Sequence, residues 1–256
     1  MAGQETRVLN YWRKKYLLQV LFVMCVAVLV VWAAFFYFDF AGFKLLACAV
    51  CFIITYLMFK AIKEDLQVRG EGIILAHADT LFNGLKFDFG RGIDENVLDA
   101  QNAVKSYKIR ECHNVMKADD FILEEDWFYS LISAKFFSFS QTAFQGVVLA
   151  LNVQTAPEGL KGKIEFSKNK PIISSELNGY LQKHQAQAHI LTLLKLFQAP
   201  SAEAVVMNGK IYFWISSETK IFYQFKLFST NTIHAFISRV QNLEKEISGL
   251  LKALNS

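Results

Sequence analysis

The chain has 256 residues, 53% of them hydrophobic and 24 of them Phe, with a formal net charge of +4. That charge is unevenly placed: residues 1–66 hold seven Lys and Arg against four acids, and the rest of the chain holds 20 against 19. A nucleic-acid-binding domain carries a basic face, so the near-neutral remainder speaks against that class and no nucleic-acid partner is expected.

Residues 1–16 form a basic, aromatic lead-in, with Tyr11, Trp12 and Tyr16 interleaved with Arg13, Lys14 and Lys15. Aromatic rings suit the headgroup level of a bilayer and cations suit its phosphates, so Trp12, Arg13, Lys14 and Lys15 are expected at a membrane interface. Residues 17–38 follow without a single charge. At about 1.5 Å per residue, a helix of this length crosses a hydrocarbon core of about 30 Å. The run is too long for the apolar core of a cleaved signal peptide, and no small-x-small site follows it. After a short joint, residues 45–59 are again uncharged, and the bordering Lys44 and Lys60 have stems that can snorkel. The sequence therefore predicts a transmembrane hairpin over 17–62, with spans 17–38 and 43–62.

Lys60, Lys63 and Arg69 follow the second span, and four Lys or Arg precede the first. The positive-inside rule then puts both termini in the cytoplasm and the joint outside. Lys60 and Lys63 complete the expected interfacial set. Residues 63–84 read as a helical stalk, bent or broken near Gly70 and Gly72. Residues 85–256 read as one cytoplasmic α+β domain, mostly antiparallel sheet with packed helices. Within it, 94–104 is expected to be helical, and 121–123, 127–139 and 145–153 to be strands. In 145–153 both alternating faces are apolar, as in a strand covered on both sides. A short strand is expected at 163–166 and one helix at 176–198. Asn208-Gly209 predicts a type I′ hairpin between two further strands, with a third at 221–228.

The C-terminal stretch, 232–254, is expected to be an amphipathic helix. Ile233, Phe236, Val240, Leu243, Ile247, Leu250 and Leu254 recur at alternating spacings of three and four. Such a seam serves either a coiled coil or a helix laid on its own sheet, and three heptads leave both open. Leu243, Ile247 and Leu250 are thus candidates for self-association or a protein contact. Tyr212 and Trp214 are candidates for an exposed aromatic pair, because aromatic side chains anchor protein interfaces.

This order of elements, with 107–111, 119–122, 133–136 and 205–215 as its matching pieces, resembles a family of bacterial inner-membrane proteins carried as a domain of unknown function. The resemblance implies a membrane-tethered cytoplasmic domain in a bacterial inner membrane and carries no catalytic residues with it.

Signals for chemistry are sparse. Asp119, Asp120, Glu124, Glu125 and Asp126 form the densest acidic stretch, and clustered carboxylates can hold Mg²⁺ or Ca²⁺, with Asp119, Asp120, Glu124 and Asp126 as the candidates. Their spacing fits no EF-hand, and a solvated turn is the plainer expectation. His184 and His189 lie five apart, unlike the i, i+4 pair that binds zinc on a helix. Cys48 and Cys51 fall inside the second span, where two small apolar residues in helix packing suffice as an account. No phosphate loop, nucleophile elbow or zinc helix occurs, so no cofactor is expected. The expected function is a membrane-anchored interaction or scaffolding module. Two alternatives are a membrane-bound metal-dependent hydrolase and a protein that shapes membranes or handles lipid.

Overall fold

The computed structural model describes all residues except 1, 38–40, 83–84, 89–91, 102, 105–106, 135–136, 168–169 and 218–231. The strand expected at 221–228 lies outside the described residues. The chain divides into two compact units. One is Met1–His77 with Tyr223–Phe236, and the other is Ala78–Phe222 with Ile237–Ser256.

The first unit contains two long helices, α1 (Ala2–Tyr37) and α2 (Ala41–Leu81). Each carries a segment long and apolar enough to cross a membrane, Arg7–Tyr37 and Ala41–Ile73, and only 6% of each segment's most apolar window is buried. Such low burial is expected when lipid rather than protein covers the side chains. The helical lead-in and stalk are continuous with the spans, and α2 passes Gly70 and Gly72 unbroken. Beyond the uncharged runs, the two helices are stapled by polar groups. The Tyr16 hydroxyl donates to Asp65. Arg69 Nε donates to Asp65 at 2.9 Å and to Tyr16 at 2.8 Å, while its guanidinium sits 3.8 Å from the Trp12 ring centre. Lys15 lies 4.7 Å from the same ring. Lys60 pairs with Glu64 at 3.9 Å on the helix surface, and Lys14 and Lys63 are exposed. Deeper along the pair, the Thr55 hydroxyl is satisfied by the Cys51 carbonyl at 2.8 Å. Cys48 and Cys51 are free thiols.

The second unit is built on one antiparallel sheet. Its strands are β1 (Lys86–Asp88), β2 (Ile109–Lys117), β3 (Phe121–Ala134), β4 (Phe137–Asn152), β5 (Lys161–Ser167), β6 (Lys170–Ile173), β7 (Ser201–Met207) and β8 (Lys210–Ser216). Their order is β1-β2-β3-β4-β8-β7-β5-β6. The helices are α3 (Glu95–Gln101), α4 (Ser175–Lys183), α5 (Gln187–Leu196) and α6 (Thr232–Leu254). Asn208 and Gly209 have φ of 54° and 70°, the pair of positive values that a type I′ turn requires.

Strand register sorts the side chains into two faces. Leu123, Leu149, Phe213, Ala204 and Gly162 form a cross-strand row on one of them. A Cβ on Gly162 would meet the Leu177 Cβ at 2.4 Å, so α4 lies on this face and the glycine lets it come close. Arg239 of α6 reaches the field of Glu125 on the same face. α5 meets α6 where His189 Nδ1 lies 3.0 Å from Glu246 and the imidazole covers Gly249. The opposite face carries Phe128, Val148, Ala150, Tyr212 and Trp214, packed with Ile93 and Leu98 beneath α3.

Several expectations need correction. Helix 176–198 is two helices, because Gln185 takes φ of 52° between α4 and α5. The helix expected over 94–104 is the shorter α3. Strand 121–123 and the stretch from Trp127 to Ala134 are one strand, β3, that runs straight through the acidic residues, while Phe137–Phe139 already belong to β4. Tyr212 and Trp214 are not an exposed pair: they are 4% and 3% exposed, because β8 is covered on both faces. Leu243, Ile247 and Leu250 are 1%, 0% and 0% exposed within the single chain. From Val240 to Leu254 the seam is buried within the chain, as in a helix laid on its own sheet, one of the two uses that its spacing left open.

Candidate functional site

β3 places Glu124 and Asp126 two residues apart in an extended strand, which puts both carboxyl groups on one face. β2 runs antiparallel beside it and presents Arg110 and Cys112 on that face, with Arg110 opposite Phe128 and Cys112 opposite Asp126. The side chains of Arg110, Glu124 and Asp126 are fully buried. Arg110 Nε donates to Asp126 Oδ1 at 2.8 Å, and Nη2 donates to Glu124 Oε1 at 2.5 Å. Nη1 donates to the Ile93 carbonyl at 3.1 Å. Glu124 Oε2 accepts from the backbone N–H of Gly92 at 3.0 Å and of Ile93 at 2.8 Å. A guanidinium and a carboxyl thus grip the segment that leads into α3 and hold it down on the sheet.

One cation thus faces two buried carboxyl groups. Burial, followed by the hydrogen bond to Asp126 and its charge, pushes the Glu124 carboxyl up to about 9, against the opposing pull of Arg110 and the Ile93 N–H. The shift favours the neutral form of the Glu124 carboxyl beside Asp126. Burial alone would lower the Arg110 pKa, but the hydrogen bond and charge of Asp126 and the charge of Glu124 outweigh it. Burial, followed by the neighbouring Asp126 and Glu124 carboxyl groups, pushes the Cys112 thiol up to about 12. A thiol held that firmly protonated is a poor nucleophile.

Gly92 fits because it has no side chain. A Cβ there would meet Val115 at 2.6 Å, Glu124 Oε2 at 2.9 Å and Ile122 at 3.0 Å. Beyond the cluster, the indole N–H of Trp214 donates to the Gln101 side-chain oxygen at 2.7 Å and ties the end of α3 to β8. Among the described residues no three His, Cys, Asp or Glu side chains group as metal ligands. The arrangement can hold a loop and a proton, and its groups are sealed from solvent.

The four acidic candidates separate. Glu124 and Asp126 are interior members of β3 rather than parts of a solvated turn, while Asp119 and Asp120 are exposed at the β2–β3 turn. That turn borders a cleft of about 430 Å³ completed by α6. Leu85, Phe121 and Leu251 give the cleft an apolar lining, and Asp119, Asp120 and Glu244 contribute carboxylates beside Lys252. The turn is fixed from below by Asn152, whose N–H donates to the Asp120 carbonyl at 2.9 Å and whose amide donates to the Asp119 carbonyl at 3.2 Å. The backbone of the turn is thereby held in place while its carboxylates face the cleft.

Sequence reasoning missed Arg110 and α6's part in the cleft. A signal for the cluster did exist: acids at i and i+2 in a run rich in Phe, Leu and Trp fit the period of a strand, and such a pair needs a cation on a neighbour. No family model, curated protein or solved structure matches this chain.

Proposed function

We propose that the chain is a membrane-anchored docking module. In this reading α1 and α2 tether the α+β domain to a bacterial inner membrane with both termini in the cytoplasm, and the domain receives a protein partner. The charge distribution around the spans supports that orientation. One observation carries the docking role: a fixed cleft that combines an apolar lining with three carboxylates and one lysine. Such a lining suits a segment that offers an apolar side chain together with Lys or Arg. The α6 seam, one candidate contact in the sequence, supports this reading less well, since Leu243, Ile247 and Leu250 are buried within the chain.

The test is a photoreactive residue at Ser248, on the cleft wall, in the full chain within its native membranes. The expected result is one discrete protein adduct that disappears when Asp119→Lys and Asp120→Lys are combined. Gln241, exposed elsewhere on α6, should give no such adduct. An adduct from Ser248 that survives charge reversal, or none from Ser248, overturns the reading.

A further inference from the structure

The two long helices leave a groove between them on one side of the hairpin. Its part nearer Ile62 holds about 310 Å³ between Val20 and Met24 of α1 and Phe52 and Phe59 of α2. The part nearer Phe35 holds about 620 Å³ and adjoins the first, with which it shares Met24, Phe52 and Thr55. From Phe52 to Ile62 the first part follows ten residues of helix, a rise of about 15 Å. That is the depth of one leaflet in a hydrocarbon core about 30 Å thick. The Thr55 hydroxyl on the wall donates to the Cys51 carbonyl at 2.8 Å and makes no demand on an occupant.

Two features choose the occupant. The first is bulk. Helices associate in a membrane through small residues that let their backbones come close. Here Met24, Trp32, Phe35 and Phe52 line the groove with exposed side chains, which hold a third helix off while a flexible methylene chain fits between them. The second is charge at the mouth. Side chains three and four residues apart share one side of a helix, and Phe52, Tyr56, Phe59 and Lys63 follow that spacing on α2. Lys63 is exposed, and the tilt of helical side chains toward the N-terminus leans its stem back toward Phe59. The two acids that follow it are engaged by other cations, Glu64 by Lys60 at 3.9 Å and Asp65 by Arg69 at 2.9 Å. On α1, Arg13 stands seven residues before Val20 and so on the groove's side, and among the described residues its buried Nε has no hydrogen-bond partner. An apolar channel one leaflet deep, with unmatched cations at its mouth, is complementary to a phospholipid of negative charge.

We propose that the hairpin binds one anionic phospholipid, with an acyl chain seated between Met24 and Phe52 and the headgroup phosphate held by Lys63 and Arg13. Such a lipid is selected by its headgroup, unlike the lipid that merely surrounds the spans. A neutral lipid fills the same channel but leaves the charge at its mouth unmatched.

The experiment uses the full chain in phosphatidylcholine vesicles that contain a trace of phosphatidylglycerol with a photoreactive diazirine midway along one acyl chain. Adducts are located by tandem mass spectrometry at Met24 and Phe52, and at Val26 and Leu57, which are exposed on the far sides of the two helices. The expected result is labelling several-fold higher at Met24 and Phe52 than at Val26 and Leu57. Excess unlabelled phosphatidylglycerol should displace it, and the same excess of phosphatidylcholine should not. Lys63→Gln is expected to lower the groove adducts several-fold and leave those at Val26 and Leu57 unchanged, which certifies that the variant is inserted. If Lys63→Gln does not insert, Arg13→Gln reads the same mouth. Equal labelling on both sides, or groove labelling indifferent to headgroup, is the mark of an ordinary lipid annulus and overturns the proposal. Labelling at Val26 and Leu57 with none in the groove also overturns it, since protein then fills the channel.

Discussion

The two faces of the sheet solve the same problem by different physics. On one, the row Leu123, Leu149, Phe213 and Ala204 is buried under helices whose own apolar residues, among them Leu177, Leu193 and Ile247, are fully enclosed. Area removed from water holds that side together, and small shifts of side chains are tolerated as long as volume is kept. On the other, a helix of seven residues covers the middle of the sheet. So short a helix has little stability of its own. Its approach is fixed instead by Arg110, Glu124 and Asp126, whose hydrogen bonds are directional and whose charges cannot be left unpaired in the interior. The lesson is that a small cover can be held in place by a few buried polar groups, provided all of them are satisfied together.

This contrast can be broken in several places. Arg110→Ala leaves two carboxyl groups buried without their cation and is expected to cost about 3–5 kcal/mol, the largest effect of any single change here. Denaturant unfolding of the full chain in detergent measures it, and a loss within the surface-substitution range would mean the cluster is not essential. On the helical face, Ile247→Ala should cost about 3 kcal/mol by opening a cavity, and it should lower stability without altering oligomeric state. Light scattering alongside the unfolding curve checks both parts. Gly92→Ala forces a methyl group against Val115 and Glu124, so about 1–3 kcal/mol should be lost, and the amide protection of Ile93 should fall with it. Gly209→Ala meets no neighbouring atom but must hold φ of 70°, which costs about 1 kcal/mol. That last loss should be local to the β7–β8 turn.

The same contrast accounts for what the sequence disclosed. The spans, α6 and the Asn208-Gly209 turn were legible because each depends on a local signal: an uncharged run, a three-four spacing, a dipeptide suited to positive φ. Burial of Tyr212 and Trp214 was legible by a rule the sequence had already yielded for β4. In 211–215 both alternating faces are apolar, as in 147–151, so β8 also had to be covered twice. The break at Gln185 was not, since neither Gly nor Pro marks it and tertiary packing sets that φ. Glu124 and Asp126 looked like a turn because charged residues are seldom fully buried. Their partner stands on another strand, and nothing local in the sequence connects Arg110 to them. The cleft was illegible for a similar reason, as it joins a turn near residue 120 to a helix near the end of the chain.

Glu124 is the group through which the buried cluster couples folding to pH. The folded chain holds the Glu124 proton with a pKa of about 9, well above the ordinary value for Glu in an unfolded chain. Between those two values the folded state binds the proton and the unfolded state does not, so this contribution to stability is complete below the unfolded value. It declines as pH rises and is lost as pH passes through about 9. Glu124→Gln keeps a neutral amide in place of the acid and removes the titration. The decisive measurement is unfolding free energy against pH, from 5 to about 10, for the wild-type chain and Glu124→Gln, plotted as their difference. A difference that changes steadily to the disadvantage of the wild type as pH rises toward 9 is the predicted result. A difference that stays flat across the range, or changes in the opposite sense, would contradict it.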